Sequence, residues 1–280
     1  MIYKSLKDKC EYYRSLTDYR LLPNGYILVM IDGKNFSSLI KNKFEKPFSD
    51  FFINTMNNTC EHLLKNIQGC VGGFVQSDEI SLLIKDTPET CLPFDGRMCK
   101  LLSIIPSLAT SYFTKEIIKH FIFTSHGDSL SHLNTIDFSA NFIENIINEM
   151  KDYVFDCKCW NSPNENESFS WFLYRQIDCI RNSKQQFCQT YLPHKKLMKK
   201  NTDEQVQLCI DETGHDWNEI SDDKKYGRFF FKDSITKVND NGEEYKRRIW
   251  NMVSIDLTDV NNREWLKETW FEDEQKETNI

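Results

Sequence analysis

The chain's 280 residues are 40% hydrophobic and 13% aromatic, which excludes a disordered protein and leaves enough apolar surface to bury a substantial core. A net charge of −7 excludes a protein that coats nucleic acid indiscriminately. The sequence has no apolar run of membrane-spanning length, the opening "MIYKSLKDKCEYYRS" is too charged for a secretory leader, and the ten cysteines are scattered, so a soluble cytoplasmic protein with reduced thiols and no membrane contact is expected.

Past a polar first segment, "YILVMI" (Tyr26 to Ile31) is continuously apolar and β-prone, the pattern of a buried central strand, and Asp32-Gly33 closes it. Phe52, Met56, Cys60, Leu63 and Ile67 recur at intervals of three and four and predict an amphipathic helix from about Pro47 to Gln68, stopped near Gly69. "CVGGFVQ" and "ISLLI" then flank Ser77, Asp78 and Glu79 as a hairpin with acids at its tip. Strand, helix, strand, strand is half of a ferredoxin-type split βαβ unit. Its second half is read in a helix from Met98 to Ile117, which Pro106 must kink or divide, and a short strand at "YVFDCKCW". Between these, His120 to Asn134 reads as a loop or insertion and "FSANFIENIINEMKDY" as an amphipathic stretch. "SPNENES" is a turn in which Asn166 or Ser168 caps a helix beginning at "FSWFLYRQ". Beyond about Ile180 short helical patterns alternate with loops, followed by β-prone runs at "GRFFFKD" and "KRRIWNMVSIDL" and an acidic, frayed tail from Glu272. The expected fold class is α+β, an α/β sandwich: an antiparallel ferredoxin-type sheet with flanking helices over 1–165, and a smaller helical and β extension over 166–280.

The acid after the apolar run has a chemical reading. If "YILVMI" and the hairpin share a sheet, Asp32 and Asp78 stand at adjacent strand ends, and converging carboxylates repel unless a cation lies between them. Mg²⁺ meets that need, because it binds through one or two carboxylates and completes its shell from water and phosphate. Gly33 lets the backbone come close and offers its carbonyl as a further ligand. Two such ions suit nucleotidyl transfer. Asp-Gly and Ser-Asp-Glu are each ordinary turn chemistry alone, and it is their joint placement that argues for a site. Charge is also uneven. Seven basic residues between Trp171 and Lys200 oppose Asp178 alone, whereas the last thirty residues hold eight acids against three bases. One local basic face suits one polyanion. The cysteine pairs and His120, His126 and His132 lack zinc spacing.

These motifs, in this order, resemble the tRNA(His) guanylyltransferase-like family, which extends RNA in the 3′–5′ direction. The family's strand ending in Asp-Gly, its Lys-Pro pair and its Gln-Ser-Asp-Glu hairpin appear as "IDGKNFS", "EKPFSD" and "FVQSDEISLLI". The resemblance continues through "GRMCKLLSIIPSLATSYF", "VFDCKCW", "WFLYRQIDCIRNSKQQF", "HKKL" and "GHDWNEI", roughly Tyr26 to Lys232. It implies a palm-like catalytic domain, as in polymerases and cyclases, with two Mg²⁺ ions held by Asp32, Asp78 and the Gly33 carbonyl, and Glu79 as a catalytic residue beside them. Contacts to nucleoside triphosphates (GTP, ATP) are implied for Gly33, Lys34, Asn35, Phe36, Lys46 and Ser77. For Arg175, Gln176, Arg181, Asn182 and Ser183 it implies contacts to RNA and its 5′ phosphates, with His194 and Lys195 near them. A homotetramer and a tRNA or other structured RNA as partner are implied too.

The chain also departs from the family. Where eukaryotic enzymes that add guanosine to tRNA(His) read His-Ile-Asn-Asn-Leu-Tyr-Asn, it has "DCIRNSKQQF", which looks like the like-protein branch associated with template-directed repair of 5′-truncated tRNAs. Lys158 stands where the family usually has arginine, so a charge is kept and a bidentate fork lost. The expected function is template-directed 3′–5′ nucleotide addition to an RNA 5′ end. The alternatives are tRNA(His) guanylyltransferase proper, a nucleotide cyclase, and a catalytically silent RNA-binding palm. Trp171, Phe172 and Tyr174 are expected in the core, and Cys179 as a buried, inert thiol.

Overall fold

A computed structural model of the chain describes residues 3–34, 36, 44–87, 92–124, 152–239 and 242–271. In it β1 (Tyr26–Gly33) lies between β3 (Glu79–Lys85) and β4 (Phe155–Ser162), so both its edges are paired, and because helices pack on both faces of the sheet its apolar run needs no alternation. β2 (Cys70–Gln76) completes the hairpin with β3. Outside β2 lie β5 (Arg228–Val238) and β6 (Glu244–Val253), giving an antiparallel sheet of order β4-β1-β3-β2-β5-β6. The first four strands have the order of a complete split βαβ unit, as expected. A hairpin from the C-terminal half therefore shares a sheet with the N-terminal half.

α1 (Leu6–Ser15) buries none of its residues. α2 (Asp50–Asn66) and α3 (Met98–Thr124) cover one face of the sheet, where Phe52, Met56, Leu63, Ile105 and Phe113 close over Ile27, Val29 and Leu82. α2 begins later than Pro47 because Ser49 supplies the cap, its Oγ accepting from the Phe52 N–H at 3.3 Å. α3 corrects two expectations. It runs unbroken through Pro106, since Leu101, Ile105, Ala109, Phe113 and Ile117 repeat at four-residue intervals into the core and hold both halves on one line. It also continues from His120 to Thr124 as helix, where a loop was expected; the rest of the 120–134 insertion, most of the following amphipathic stretch and the tail from Glu272 lie outside the described residues.

On the opposite face, α4 (Glu165–Tyr191) and α8 (Val260–Phe271) bury Phe169, Phe172, Leu266 and Trp270 against Leu28, Phe74 and Leu83. The cap of α4 is Asn164, not Asn166 or Ser168: its side chain accepts from the Glu167 N–H at 2.9 Å. α4 does not break near Ile180 either. With no glycine or proline to stop it, it carries Phe187 and Cys188 into a third cluster with α5 (His194–Leu197), α6 (Thr202–Thr213) and Trp217, while α7 (Asp222–Tyr226) packs beside it. Among the described residues, no helix is long and apolar enough to cross a membrane.

Candidate active site

Three acids meet where β1, β3 and the β2–β3 turn end. In the β1–β3 register Asp32 lies opposite Glu79, and the turn leans toward β1 so that the Gly33 N–H donates to the Asp78 carbonyl at 3.1 Å. Ser77 makes the turn with a φ of 44°, the left-handed region that side chains seldom adopt. Gly33 is required by a close approach: a Cβ there would sit 2.7 Å from the Phe36 ring, which is buried against Phe113 and Phe155. Phe36 thus anchors the loop from the core, Lys34 is exposed with its N–H on the Val154 carbonyl at 2.9 Å, and Asn35 lies outside the described residues.

The electrostatics follow from crowding. Burial, with Asp32 and Glu79 adding to it, pushes the Asp78 carboxyl up to about 6. Asp32 is raised first by burial and then by Asp156, with Lys158 and Arg175 opposing. Asp156 went unnoticed in the sequence. It lies directly opposite Asp32 on β4, and pairing "VFDCKCW" against "YILVMIDG" in a split βαβ sheet would have found it. Glu79 is raised by burial despite a two-pronged pair with Arg175 (Nε to Oε1 2.7 Å, Nη2 to Oε2 2.5 Å), and Arg175 also reaches Asp178 at 3.2 Å.

The residues of the basic helix separate into two groups. Arg175, Gln176 and Ser183 are buried and engaged within the protein: Gln176 donates to the carbonyls of Tyr226 and Ile255 and accepts from the Leu257 N–H, and Ser183 Oγ donates to the Lys224 carbonyl. Arg181, Asn182, His194 and Lys195 are exposed, with Arg181 and Asn182 both reaching Asp178. Phe172 is buried and Trp171 half-buried with its N–H on Ser81 Oγ, as expected, but Tyr174 is 57% exposed because it faces away from the sheet. Cys179 is buried and its thiol pushed up to about 12, chiefly by burial, which makes it inert.

Two cavities open on the acids. One, of about 360 Å³, lies between α2, the β2–β3 turn and α4, with Asp32, Asp78 and Glu79 at one side and Arg228 in its wall. The other, of about 580 Å³, is bounded by Lys46, Asp78, Gln185, Gln189 and His194. They share Ser77, Asp78, Asn182 and Gln186. Lys46, Ser77, Asn182 and His194, picked out in the sequence far apart, therefore line connected space around Asp78. Among the described residues no three His, Cys, Asp or Glu side chains are grouped to hold a metal by themselves. Two carboxylates, Asp32 and Asp78, both raised chiefly by burial and set beside open space, fit an ion that takes its other ligands from phosphate and water.

The strands form an antiparallel palm-like sheet with carboxylates gathered at its strand ends. A family model described as tRNAHis guanylyltransferase (Thg1) matches residues 7–163, more than half of the chain, and the chain belongs to that family. The uncharacterized protein R259 of Acanthamoeba polyphaga mimivirus is 28% identical over 251 residues, 85% of this chain and 81% of that protein. The tRNA(His) guanylyltransferase of Schizosaccharomyces pombe is 34% identical over 117 residues, 41% of this chain and 44% of that enzyme. A bacterial tRNA(His) guanylyltransferase-like protein solved in complex with ATP superposes with a TM-score of 0.75 at 22% identity over 95% of this chain and 99% of its own, and at that identity the likeness shows the fold alone.

Proposed function

We propose that this chain is a Mg²⁺-dependent nucleotidyltransferase that adds nucleotides in the 3′–5′ direction to the 5′ end of an RNA, directed by a template, in the repair of 5′-truncated tRNA. The observation that carries the reading is the convergence of Asp32 and Asp78 on connected cavities lined by Lys46, Asn182 and His194. Membership of the tRNAHis guanylyltransferase family supports it, and "DCIRNSKQQF" favours the repair branch over strict addition to tRNA(His). The incoming nucleotide's 3′-hydroxyl attacks the RNA 5′ α-phosphorus, which is activated as a triphosphate or an adenylylated monophosphate. Pyrophosphate or AMP leaves.

Asp32, Asp78 and the Gly33 carbonyl would hold two Mg²⁺ ions, which when bound acidify the attacking hydroxyl and neutralise phosphate charge. Lys46 supplies a compact positive charge for the triphosphate, and His194 and Asn182 donate to the RNA 5′ phosphate. Glu79, held by Arg175, keeps the strand end rigid and adds negative charge beside the ions. The test is a tRNA lacking its first 5′ nucleotide and bearing a 5′-triphosphate, incubated with Mg²⁺, four NTPs and either wild type or Asp78→Asn. Template-matched lengthening that falls ~10²-fold or more in the variant is expected. No lengthening, with a 5′-monophosphate plus ATP also tried, would make the protein a silent RNA binder.

A further inference from the structure

The proposed reaction leaves the solvent side of α4 unused, although it carries large apolar groups. Tyr174 is 57% exposed and Ile177, three residues on, 54% exposed. Arg181, a further turn along the same side, is exposed as well. An aromatic ring, an aliphatic branch and a cation thus follow one another along the helix. The stripe is joined to the acids through Arg175. The Tyr174 ring lies 5.3 Å from the Arg175 guanidinium carbon, and that guanidinium grips Glu79, which stands opposite Asp32. Trp171 backs the ring at 5.8 Å between centroids and is itself fixed by Trp160 of β4 and by Ser81 Oγ. Tyr174 is therefore held in place while exposed, so little ordering entropy is lost when something stacks on it.

Shape and the reaction together tell what stacks there. A single nucleotide needs a pocket that buries most of it, and Tyr174, Ile177 and Arg181 line neither cavity. An open aromatic platform beside a cation suits the bases of a single strand, whatever their identity. Template-directed addition at a 5′ end requires an opposite strand that runs past that end, so every substrate brings unpaired nucleotides to the site. Paired bases already stack on their neighbours, and unpaired ones gain most from a ring. We propose that Tyr174 stacks on an unpaired base in the 3′ overhang of the template strand, with Ile177 against the ribose and Arg181 on the phosphate. Asp178 does not repel that strand, because its charge is shared among Arg175, Arg181 and Asn182.

The inference rests on the 3′–5′ addition reading, and the experiment separates the two. Two RNA hairpins bearing a 5′-triphosphate, one blunt and one with a two-nucleotide 3′ overhang that carries 2-aminopurine, are titrated with the full chain in Mg²⁺ without nucleotides. Wild type, Tyr174→Phe and Tyr174→Ala are compared, their folding checked by melting curves. Wild type and Tyr174→Phe are expected to bind the overhang hairpin ~10-fold more tightly than the blunt one and to quench the 2-aminopurine. In Tyr174→Ala the ratio should fall to ~2-fold or less and the quenching should be lost. Equal binding of the two hairpins by wild type overturns the inference and leaves the addition reading standing, as does a preference that survives in Tyr174→Ala. A loss in Tyr174→Ala that is the same for both hairpins overturns it too, by making the ring a support for Arg175. If wild type binds neither hairpin, the RNA-extending reading falls with it.

Discussion

At Asp78 the needs of folding and of chemistry pull in opposite directions. With its carboxyl pushed from 3.8 up to about 6, the folded chain keeps a proton across that interval which the unfolded chain has lost. The stability this group contributes is therefore complete below pH 4 and is lost as pH rises through 6. Asp78→Asn removes the penalty. In EDTA at pH 8 the variant should melt roughly 3–6 °C above wild type, about 1–2 kcal/mol after discounting for partial exposure, and the gap should close by about pH 4. Adding Mg²⁺ should raise the wild type and leave the variant unmoved; identical melting at pH 8 in EDTA would refute the account. Asp32 and Asp78 were legible in sequence because each is a charge where an apolar run stops. The engagement of Glu79 by Arg175 was not, because the two are far apart in the chain and meet only when α4 lies across β3. Arg228 gave no signal, since a lone arginine before "FFF" reads as a strand flank.

Among the elements, α4 shows how a cap is chosen. Asn164, Asn166 and Ser168 all have the chemistry, and the residue that wins is the one three positions before an N–H left free by the first turn. Asn164→Ala should cost about 1 kcal/mol in urea unfolding and Asn166→Ala less than ~0.5; the reverse order would mean that another residue starts the helix. Pro106 was over-read for a related reason. The local rule that proline breaks helices is right about the lost N–H, but the freed carbonyl belongs to Leu102, a residue on the exposed side of the helix, and the buried four-residue repeat decides the path. The first three strands were legible to within two residues, whereas β5 runs five residues past "GRFFFKD" and β6 stops four residues short of the end of "KRRIWNMVSIDL". What periodicity could not say is that β5 would pair with β2, because neighbours in a sheet need not be neighbours in sequence.

For the molecule as a whole, α1 and the segment after it are unfinished business in a single chain. Leu6, Tyr13, Leu16, Tyr19 and Leu22 are exposed by 53 to 77%, and α1 buries nothing. A second copy of the chain is the cover we propose, with a homotetramer as the assembly. Light scattering should return about four times 33.2 kDa, and a mass of one chain would overturn the assembly. A last consequence comes from Gly72, where a Cβ would collide with the Trp270 ring at 2.3 Å. The indole lies directly on the backbone of β2, its N–H on the Phe230 carbonyl at 3.0 Å, so the lid over this side of the sheet arrives from a helix translated long after the strand it seals. On the ribosome, the strands around Leu28, Phe74 and Leu83 must wait with their oily side bare until α4 and then α8 emerge. For that interval the nascent protein is a natural client for a chaperone that shields open sheets.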